Sequence, residues 1–193
     1  GQECTLVLDP GEGTLPGNEN RLTITWGEVV PQFPVPTREG YEFVGWYSGD
    51  DIALSDEQGH PHPKADCFDE KYPVTAENNR IVLTAHYKIK QLKLVLDFND
   101  GTYEARELSY EYGSYPDPKD FPTRDAEGRE LVGWSRSRGA NEPFTGKLTE
   151  DTTLYAVWRE YREISFYPQP DGTPETLRVY RDADAMRKAA PER

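Results

Sequence analysis

Apolar and polar residues alternate with a period of two along short stretches of this chain, and turn residues separate the stretches. The segment 21–27, for example, reads Arg-Leu-Thr-Ile-Thr-Trp-Gly. Such alternation is typical of a β-strand with one buried face. No stretch sustains the 3.6-residue apolar period of an amphipathic helix, and prolines interrupt the connections. The pattern predicts a mostly β fold of the α+β class and excludes a helical bundle.

The elements of one small module occur twice in the same order. A Pro-Thr-Arg turn followed by a Val-Gly-Trp strand is found at 36–46 and again at 122–134. The predicted strands span 5–9, 21–27, 41–47 and 81–87 in the first copy, and 93–97, 108–113, 131–134 and 153–158 in the second. A duplication of this kind indicates repeated structural units. We therefore divide the chain into repeat module 1 (1–89) and repeat module 2 (90–160).

The two copies differ in length between the third strand and the closing strand. The first turn recurs 88 residues later, at Gly13 and Gly101, whereas the closing strand recurs 71 residues later, at Ala85 and Ala156. Module 1 therefore carries an insertion of 17 residues, the difference between these offsets, which we place within 48–74.

Residues 161–193 resemble the beginning of a third copy followed by a tail. They contain two strand-like runs and an Asp-Gly-Thr turn at 171–173, but no Val-Gly-Trp follows. Two interpretations remain open: a longer array continues, or the last hairpin caps module 2. We favour the first, because repeat arrays usually continue.

Composition limits the partners that this chain can have. The formal net charge of −13 argues against nucleic acid and against electrostatic docking on anionic membranes. No apolar run reaches the roughly 20 residues of a membrane-spanning helix. The start at Gly1, without a hydrophobic signal region, predicts a piece of a longer protein. Only 35% of the residues are apolar, so the 12 Tyr, 7 Phe and 4 Trp must supply much of each small core.

The repeated motifs carry a resemblance to a known family. The Gly-Tyr-Glu-Phe-Val-Gly-Trp-Tyr string at 40–47, the Pro-Thr-Arg turn and the Leu-Tyr-Ala-Val-Trp closing strand at 154–158 are similar to the internalin-type B-repeat, also called the Listeria–Bacteroides repeat. The resemblance covers both complete copies. It implies tandem small β-grasp-like (ubiquitin-like) modules, each with one short helical segment, on a secreted or surface-anchored bacterial protein.

Aromatic residues of the strands are expected in the cores of the two modules. Trp46 and Trp134 follow glycines that allow another segment to approach closely. Tyr87 and Trp158 end the closing strands and complete the predicted core set.

The only two cysteines, Cys4 and Cys67, are candidates for a disulfide in an exported protein. The alternative is two unpaired thiols, because the sequence does not fix their separation. Other polar clusters are weak candidates for metal sites. His60, His62 and Asp66 lie in a proline-rich loop, and the acidic pairs lack the spacing of a calcium loop. No metal or other cofactor is expected.

The sequence favours a structural role over catalysis. It lacks a Gly-x-Ser-x-Gly elbow and a phosphate-binding glycine-rich loop. We expect a non-catalytic spacer or stalk, extracellular and at the bacterial cell surface or secreted, whose neighbours are other repeats of the same chain. The alternative is an adhesin-type module that binds a host protein or glycan through Tyr110, Tyr112 and Tyr115 or through the insertion.

Overall fold

The computed structural model describes residues 3–25, 28–49, 51–62, 80–102, 104–124, 126–168, 170 and 172–181. The chain divides into two compact units, Gly1–Lys90 and Gln91–Arg193, called unit 1 and unit 2 below. The first boundary lies one residue beyond the predicted one. Unit 2 also includes the residues that we assigned to a partial third copy.

Unit 1 is a four-stranded sheet. Its strands are β1 (Glu3–Asp9), β2 (Arg21–Thr25), β3 (Tyr41–Tyr47) and β4 (Arg80–Ile89), in the spatial order β2-β1-β4-β3. The neighbours β1 and β4 are parallel, and the other two pairs are antiparallel. The four strands predicted from alternation are all present.

Unit 2 repeats this arrangement and extends it. The strands β5 (Gln91–Asp97), β6 (Ala105–Glu111), β7 (Arg129–Ser135) and β8 (Thr152–Phe166) take the order β6-β5-β8-β7, again with a parallel central pair, β5 and β8. β8 continues past the predicted boundary at residue 160, and β9 (Glu175–Tyr180) pairs antiparallel with its end. The last hairpin is thus a direct continuation of the closing strand of unit 2.

The predicted mostly β character is confirmed. In the described part of the chain, helix is limited to two single 3₁₀ turns, Pro16–Asn18 and Pro118–Asp120. Among the described residues, the helical part of the expected α+β class is therefore confined to these two turns. Each begins with a proline, whose fixed φ suits the first helical position and whose missing N–H costs nothing there.

Each unit has its own hydrophobic core. Alternate residues of the first strand point inward, namely Cys4, Leu6 and Leu8 in β1 and Leu92, Leu94 and Leu96 in β5. Trp46 is fully buried in unit 1 and Trp134 is 6% exposed in unit 2. Tyr87 and Trp158 are partly buried and pack against the margins of the two cores.

A β-bulge explains how the tryptophans reach these cores. Strict alternation would place Tyr41, Phe43 and Gly45 on one face of β3, but the pairing of β3 with β4 shifts between Phe43 and Gly45. The extra residue reverses the alternation, so Phe43 and Trp46 are both buried. β7 has the same shift, between Leu131 and Gly133.

The glycines at these bulges allow close approach, as predicted. A Cβ on Gly45, whose φ is +154°, would lie 2.4 Å from the Ser55 carbonyl oxygen, and one on Gly133 would lie 2.7 Å from Cγ of Pro143. A side chain at either position would therefore push away the segment that covers the outer edge of its strand.

Candidate functional site

The first and last strands of each four-stranded sheet are parallel neighbours at its centre. Residues 5–9 of β1 pair with 80–84 of β4, and residues 94–97 of β5 pair with 152–155 of β8. The chain consequently enters a sheet at one end and leaves it at the other. The ten residues of β4 span roughly 33 Å at the usual rise of a strand. Tension applied along the chain would therefore load the hydrogen bonds between the two strands together.

An arginine of the Pro-Thr-Arg turn fastens the first hairpin of each unit. Arg38 pairs with Glu12, and its guanidinium carbon lies 3.8 Å from the centroid of the Tyr41 ring. Arg124 pairs with Asp100 at 2.6 Å and also with Glu104. These cations bind carboxylates of the loop after the first strand, and so connect two segments that are distant in sequence.

The closing strand makes a second connection to the same loop. In unit 1 the Tyr87 hydroxyl donates a hydrogen bond of 2.8 Å to the Pro10 carbonyl oxygen. In unit 2 Nε1 of Trp158 donates one of 2.8 Å to the Phe98 carbonyl oxygen. Burial raises the pKa of Tyr87, and the Asp9 carboxylate adds to this while Arg38 opposes it. The hydroxyl therefore remains protonated, as its role as a donor requires.

Sequence reasoning missed the arginines and the hydrogen bonds of the closing strand. Arg38 and Arg124 were noted only as parts of a repeated turn, and their recurrence was the signal that could have revealed them. Their acidic partners differ between the units and lie 20 to 26 residues away in sequence, so no local motif indicated the pairs.

The three tyrosines proposed for binding have different environments. Tyr110 and Tyr112 are partly buried and pack against the core of unit 2. Burial and the carboxylates of Asp120 and Asp117 raise the pKa of Tyr110. Tyr115 is 63% exposed, with Nζ of Lys147 5.6 Å from its ring centroid. Of the three, Tyr115 is the one available to a ligand, and the binding role of the set stays a prediction.

The predicted disulfide is not settled by the described residues. Cys4 is 3% exposed in the core of unit 1, where burial raises the pKa of its thiol. Cys67 lies outside the described residues, as does part of the insertion predicted within 48–74. The pairing of Cys4 with Cys67 therefore stays a prediction.

The segment 51–62, the described part of the region in which we placed the insertion, is closely attached to β3. The Leu54 N–H donates to the Trp46 carbonyl oxygen at 2.8 Å, and the Ser55 hydroxyl accepts a hydrogen bond of 3.0 Å from the Trp46 N–H. Asp56 accepts from the backbone of His60 at 2.8 Å and lies 3.1 Å from its Nδ1. These bonds give His60 a local structural role. Within the described residues, no group of three or more potential metal ligands comes together.

An open groove of about 780 Å³ lies in unit 2 between the start of β7 and the β8–β9 hairpin. Arg129, Tyr161, Tyr180 and Arg181 are among the residues that line it. The two tyrosine rings meet edge to face with centroids 6.1 Å apart, and the Arg159 guanidinium lies 3.9 Å from the Tyr180 ring centroid. A hydrogen bond with Glu130 raises the pKa of Tyr180. These contacts give the groove an aromatic and charged lining.

Comparisons with known proteins identify the repeat. Residues 8–60 match the Listeria–Bacteroides repeat domain. Internalin H of Listeria monocytogenes is 28% identical over 159 residues, which cover 80% of this chain and 25% of that protein. A protein of Evansella cellulosilytica, provisionally named as a membrane protein, is 24% identical over 136 residues, covering 69% of this chain and 18% of that relative.

These matches concern a part of much longer proteins. The chain spans about a quarter or less of the length of each relative. In the described portion of this chain, no helix is long and apolar enough to cross a membrane. The matched segment runs from the end of β1 through the Pro-Thr-Arg turn and the bulged Gly-Trp strand to His60. It contains the first-copy motifs on which the resemblance was based, whereas the closing strand at 154–158 lies outside it. The similarity to internalin H supports a repeat region of a surface protein, and residues 8–60 of this chain match the Listeria–Bacteroides repeat.

Proposed function

We propose that this chain is a non-catalytic spacer region of an exported bacterial cell-surface protein, built from tandem β-grasp-like modules. Its work is mechanical: it holds neighbouring domains away from the cell and resists tension along the polypeptide. The single observation that carries the proposal is the parallel central strand pair, which occurs in both units and joins the point where the chain enters a sheet to the point where it leaves.

The direction of force decides how such a sheet fails. Under tension along β1 and β4, the hydrogen bonds between them lie across the direction of pulling, so several must break together. If the same force separated β1 from its antiparallel neighbour β2 at one end, the bonds would break one after another. The side-chain bond from Tyr87 to Pro10 lies beside the parallel pair and supports it.

Single-molecule force spectroscopy on the full chain tests this proposal. Handles are attached through bio-orthogonal side chains at positions 3 and 89, which load β1 and β4 in shear. The matched control has handles at positions 3 and 25, where Glu3 pairs with Thr25, so the same sheet is peeled from one end. We expect a clearly higher rupture force in the first geometry. Equal rupture forces in the two geometries would refute the mechanical role.

A second candidate function is an adhesin-type binding module for a host protein or glycan. Tyr115, exposed and close to Lys147, and the groove beside Tyr161 support it, because aromatic rings next to charged groups suit sugar stacking and protein anchoring. The acidic net charge makes nucleic acid an improbable partner for either function.

A glycan array and a pull-down from host extracellular matrix test the binding function. If Tyr115 is the anchor, Tyr115→Ala should abolish capture, whereas Lys119→Ala, an exposed substitution in the same unit, should leave it unchanged. Capture that survives Tyr115→Ala would exclude this tyrosine as the anchor. The absence of capture by the unsubstituted chain would favour the spacer function alone.

A further inference from the structure

The hairpin of β8 and β9 carries an exposed apolar face. Ile164 pairs directly with Leu177, and Arg162 pairs with Val179. Since directly paired residues share a face and faces alternate along a strand, Ile164, Phe166, Leu177 and Val179 lie on the same side of the hairpin. They are 52%, 43%, 56% and 43% exposed. Four apolar residues on one face of a two-stranded ribbon form a surface that normally has a partner.

The same face is buried in the two other hairpins. In unit 1 Leu6 pairs with Leu22, and in unit 2 Leu94 pairs with Leu108. Leu6 and Leu94 are fully buried. The core over these residues is completed by β3 and β4 in unit 1 and by β7 and β8 in unit 2. The first two strands of a module thus depend on its later residues for cover.

Backbone hydrogen bonds show that these faces are equivalent. The Leu8 N–H donates to the Asn20 carbonyl oxygen across the first hairpin, and the Arg181 N–H donates to the Glu160 carbonyl oxygen across the last. Hydrogen-bonded and non-hydrogen-bonded pairs alternate along an antiparallel hairpin. Leu6–Leu22 lies two residues from the bonded pair Leu8–Asn20, and Ile164–Leu177 lies four residues from the bonded pair Glu160–Arg181, so both are hydrogen-bonded pairs. In a hairpin of L-amino acids, all such pairs place their side chains on one face. The exposed face of the last hairpin is therefore the face that points into the core in units 1 and 2.

The outer edge of the same hairpin is also open. In unit 1, β1 bonds along this edge to the closing strand β4, with Thr5 opposite Arg80. In the described residues, β9 is the only strand that pairs with β8 beyond Glu160. The Tyr161 N–H bonds to Gly128 on the side of β7, so Glu163 and Ser165 direct their backbone groups to that open side.

We propose that this hairpin is a docking surface for the second half of a further module, supplied by residues that follow in the same polypeptide. The occupant is a bulged Gly-Trp strand and a closing strand like β7 and the first part of β8, with its tryptophan covering Ile164 and Leu177. The closing strand would pair parallel with 161–166. This inference does not depend on the spacer role, because it concerns only how a third sheet is completed.

Two observations favour this occupant over a second copy of the chain. Both complete units provide the cover from residues later in the same chain, and the matched region is a quarter or less of the length of each curated relative. Four half-exposed side chains on one hairpin also offer much less than the roughly 800 Å² per partner of a standard stable interface. A strand pair joined covalently to the hairpin needs no such area, because its effective concentration is high.

The test uses the chain's own sequence as the probe. A second copy of residues 113–160 is joined directly after Arg181 in the full chain, which gives the last hairpin a Gly-Trp strand and a closing strand. Hydrogen exchange is measured at the amides of Leu177 and Val179, with the unextended chain as reference. If the added strands dock, these amides should exchange about 100-fold more slowly, as expected for a strand that becomes part of a stable core.

Two substitutions in the extended chain serve as controls. Leu177→Asp, on the apolar face, should remove the protection, whereas Thr176→Asp, on the opposite face, should retain it. Unchanged exchange in the extended chain would overturn the proposal. Sedimentation of the unextended chain gives a second measurement: a dimer that Leu177→Asp dissolves would assign the face to a second copy and would equally overturn it.

Discussion

Units 1 and 2 have the same strand order and the same bulge, yet they place different side chains at corresponding positions. Tyr87 in unit 1 and Trp158 in unit 2 each donate a hydrogen bond to the carbonyl group of the residue that follows the first strand. A phenol and an indole serve equally, because both combine a large apolar ring with one donor. The duplicated feature is therefore the hydrogen bond and its position, and the identity of the ring is secondary.

The corresponding tryptophans of the two units, Trp46 and Trp134, show a sharper difference. In unit 1 Nε1 of Trp46 donates a hydrogen bond of 2.9 Å to the Pro34 carbonyl oxygen, and the Phe43 ring centroid lies 5.7 Å from that of Trp46. In unit 2 Trp134 lies between two aromatic rings, with centroid distances of 5.5 Å to Phe98 and 6.1 Å to Phe121. Unit 1 thus fixes its tryptophan through a polar contact with Pro34, whereas unit 2 fixes its tryptophan through packing against Phe98 and Phe121.

Removal of either tryptophan should have the largest effect on the free energy of unfolding. Trp46→Ala and Trp134→Ala should each lower the free energy of unfolding of the affected unit by about 3 to 5 kcal/mol. We expect Trp46→Ala to cost more, because it also leaves the Pro34 carbonyl group without its partner. Chemical denaturation of the full chain, followed by circular dichroism and fitted with two transitions, measures both effects. A larger loss for Trp134→Ala would contradict this comparison.

Substitution of the bulge glycines should cause the next largest loss of stability. Gly45→Ala and Gly133→Ala should destabilise their units by about 1 to 3 kcal/mol, because the new methyl group must displace a neighbour. Gly45→Ala should be the worse of the two, since it meets the backbone at Ser55 and has a positive φ, whereas Gly133→Ala meets the ring of Pro143. Gly49→Ala, where a Cβ has no neighbour within 4 Å, is the matched control. Thermal unfolding of the three variants gives the order.

The strands and the buried leucines could be predicted because they depend on local alternation. All eight strands of the two complete copies were found from periodicity and duplication. The bulges could not be predicted in this way, since one extra residue changes which side chains face inward without changing the residue pattern. Gly45 illustrates the difficulty: its need for close approach was clear, but its effect on the register of Trp46 was not.

Long-range contacts limited the prediction of the candidate site. Tyr110 and Tyr112 were grouped with Tyr115 because all three are tyrosines in one short stretch, although the first two pack against the core of unit 2. Alternation along β6 identifies the inward positions, but which face is covered depends on β7 and β8. The exposed hairpin face was missed for the same reason, because an apolar residue in a strand is ordinarily read as buried.

Removal of the Tyr87 hydroxyl should have an intermediate effect on the stability of unit 1. Tyr87→Phe removes its hydrogen bond to Pro10 and should cost unit 1 about 0.5 to 1.5 kcal/mol in urea unfolding. A Cβ on Gly13 would lie 2.0 Å from the same hydroxyl oxygen, so Gly13→Ala should be less harmful in the Tyr87→Phe background than alone. A double-mutant cycle measures this coupling. Strict additivity would show that the hydroxyl does not occupy the space next to Gly13.

The smallest effects should come from the acidic partners of the two arginines, beginning with Asp100 in unit 2. Asp100 accepts hydrogen bonds from the Thr102 hydroxyl at 2.7 Å and the Thr102 N–H at 3.1 Å, and Arg124 lies 2.6 Å away. These contacts, the Thr102 hydroxyl first, lower the pKa of Asp100 to about 2, against about 3.9 for an unperturbed Asp. Because the pKa is lower in the folded state, the ionised carboxylate stabilises unit 2 above pH about 4, and that contribution is lost as the pH falls towards 2.

Asp100→Asn should therefore reduce the loss of stability between pH 5 and pH 2 without changing the transition of unit 1. Urea unfolding at several pH values in this range, compared between the variant and the unsubstituted chain, isolates the effect from the other carboxylates, which titrate in both proteins. The matched variant in unit 1 is Glu12→Gln, because Glu12 is the corresponding partner of Arg38 but its side chain is 76% exposed. Since solvent screens an exposed pair, Glu12→Gln should lower the stability of unit 1 at pH 7 less than Asp100→Asn lowers that of unit 2. Equal losses would contradict this difference between the two arginine contacts.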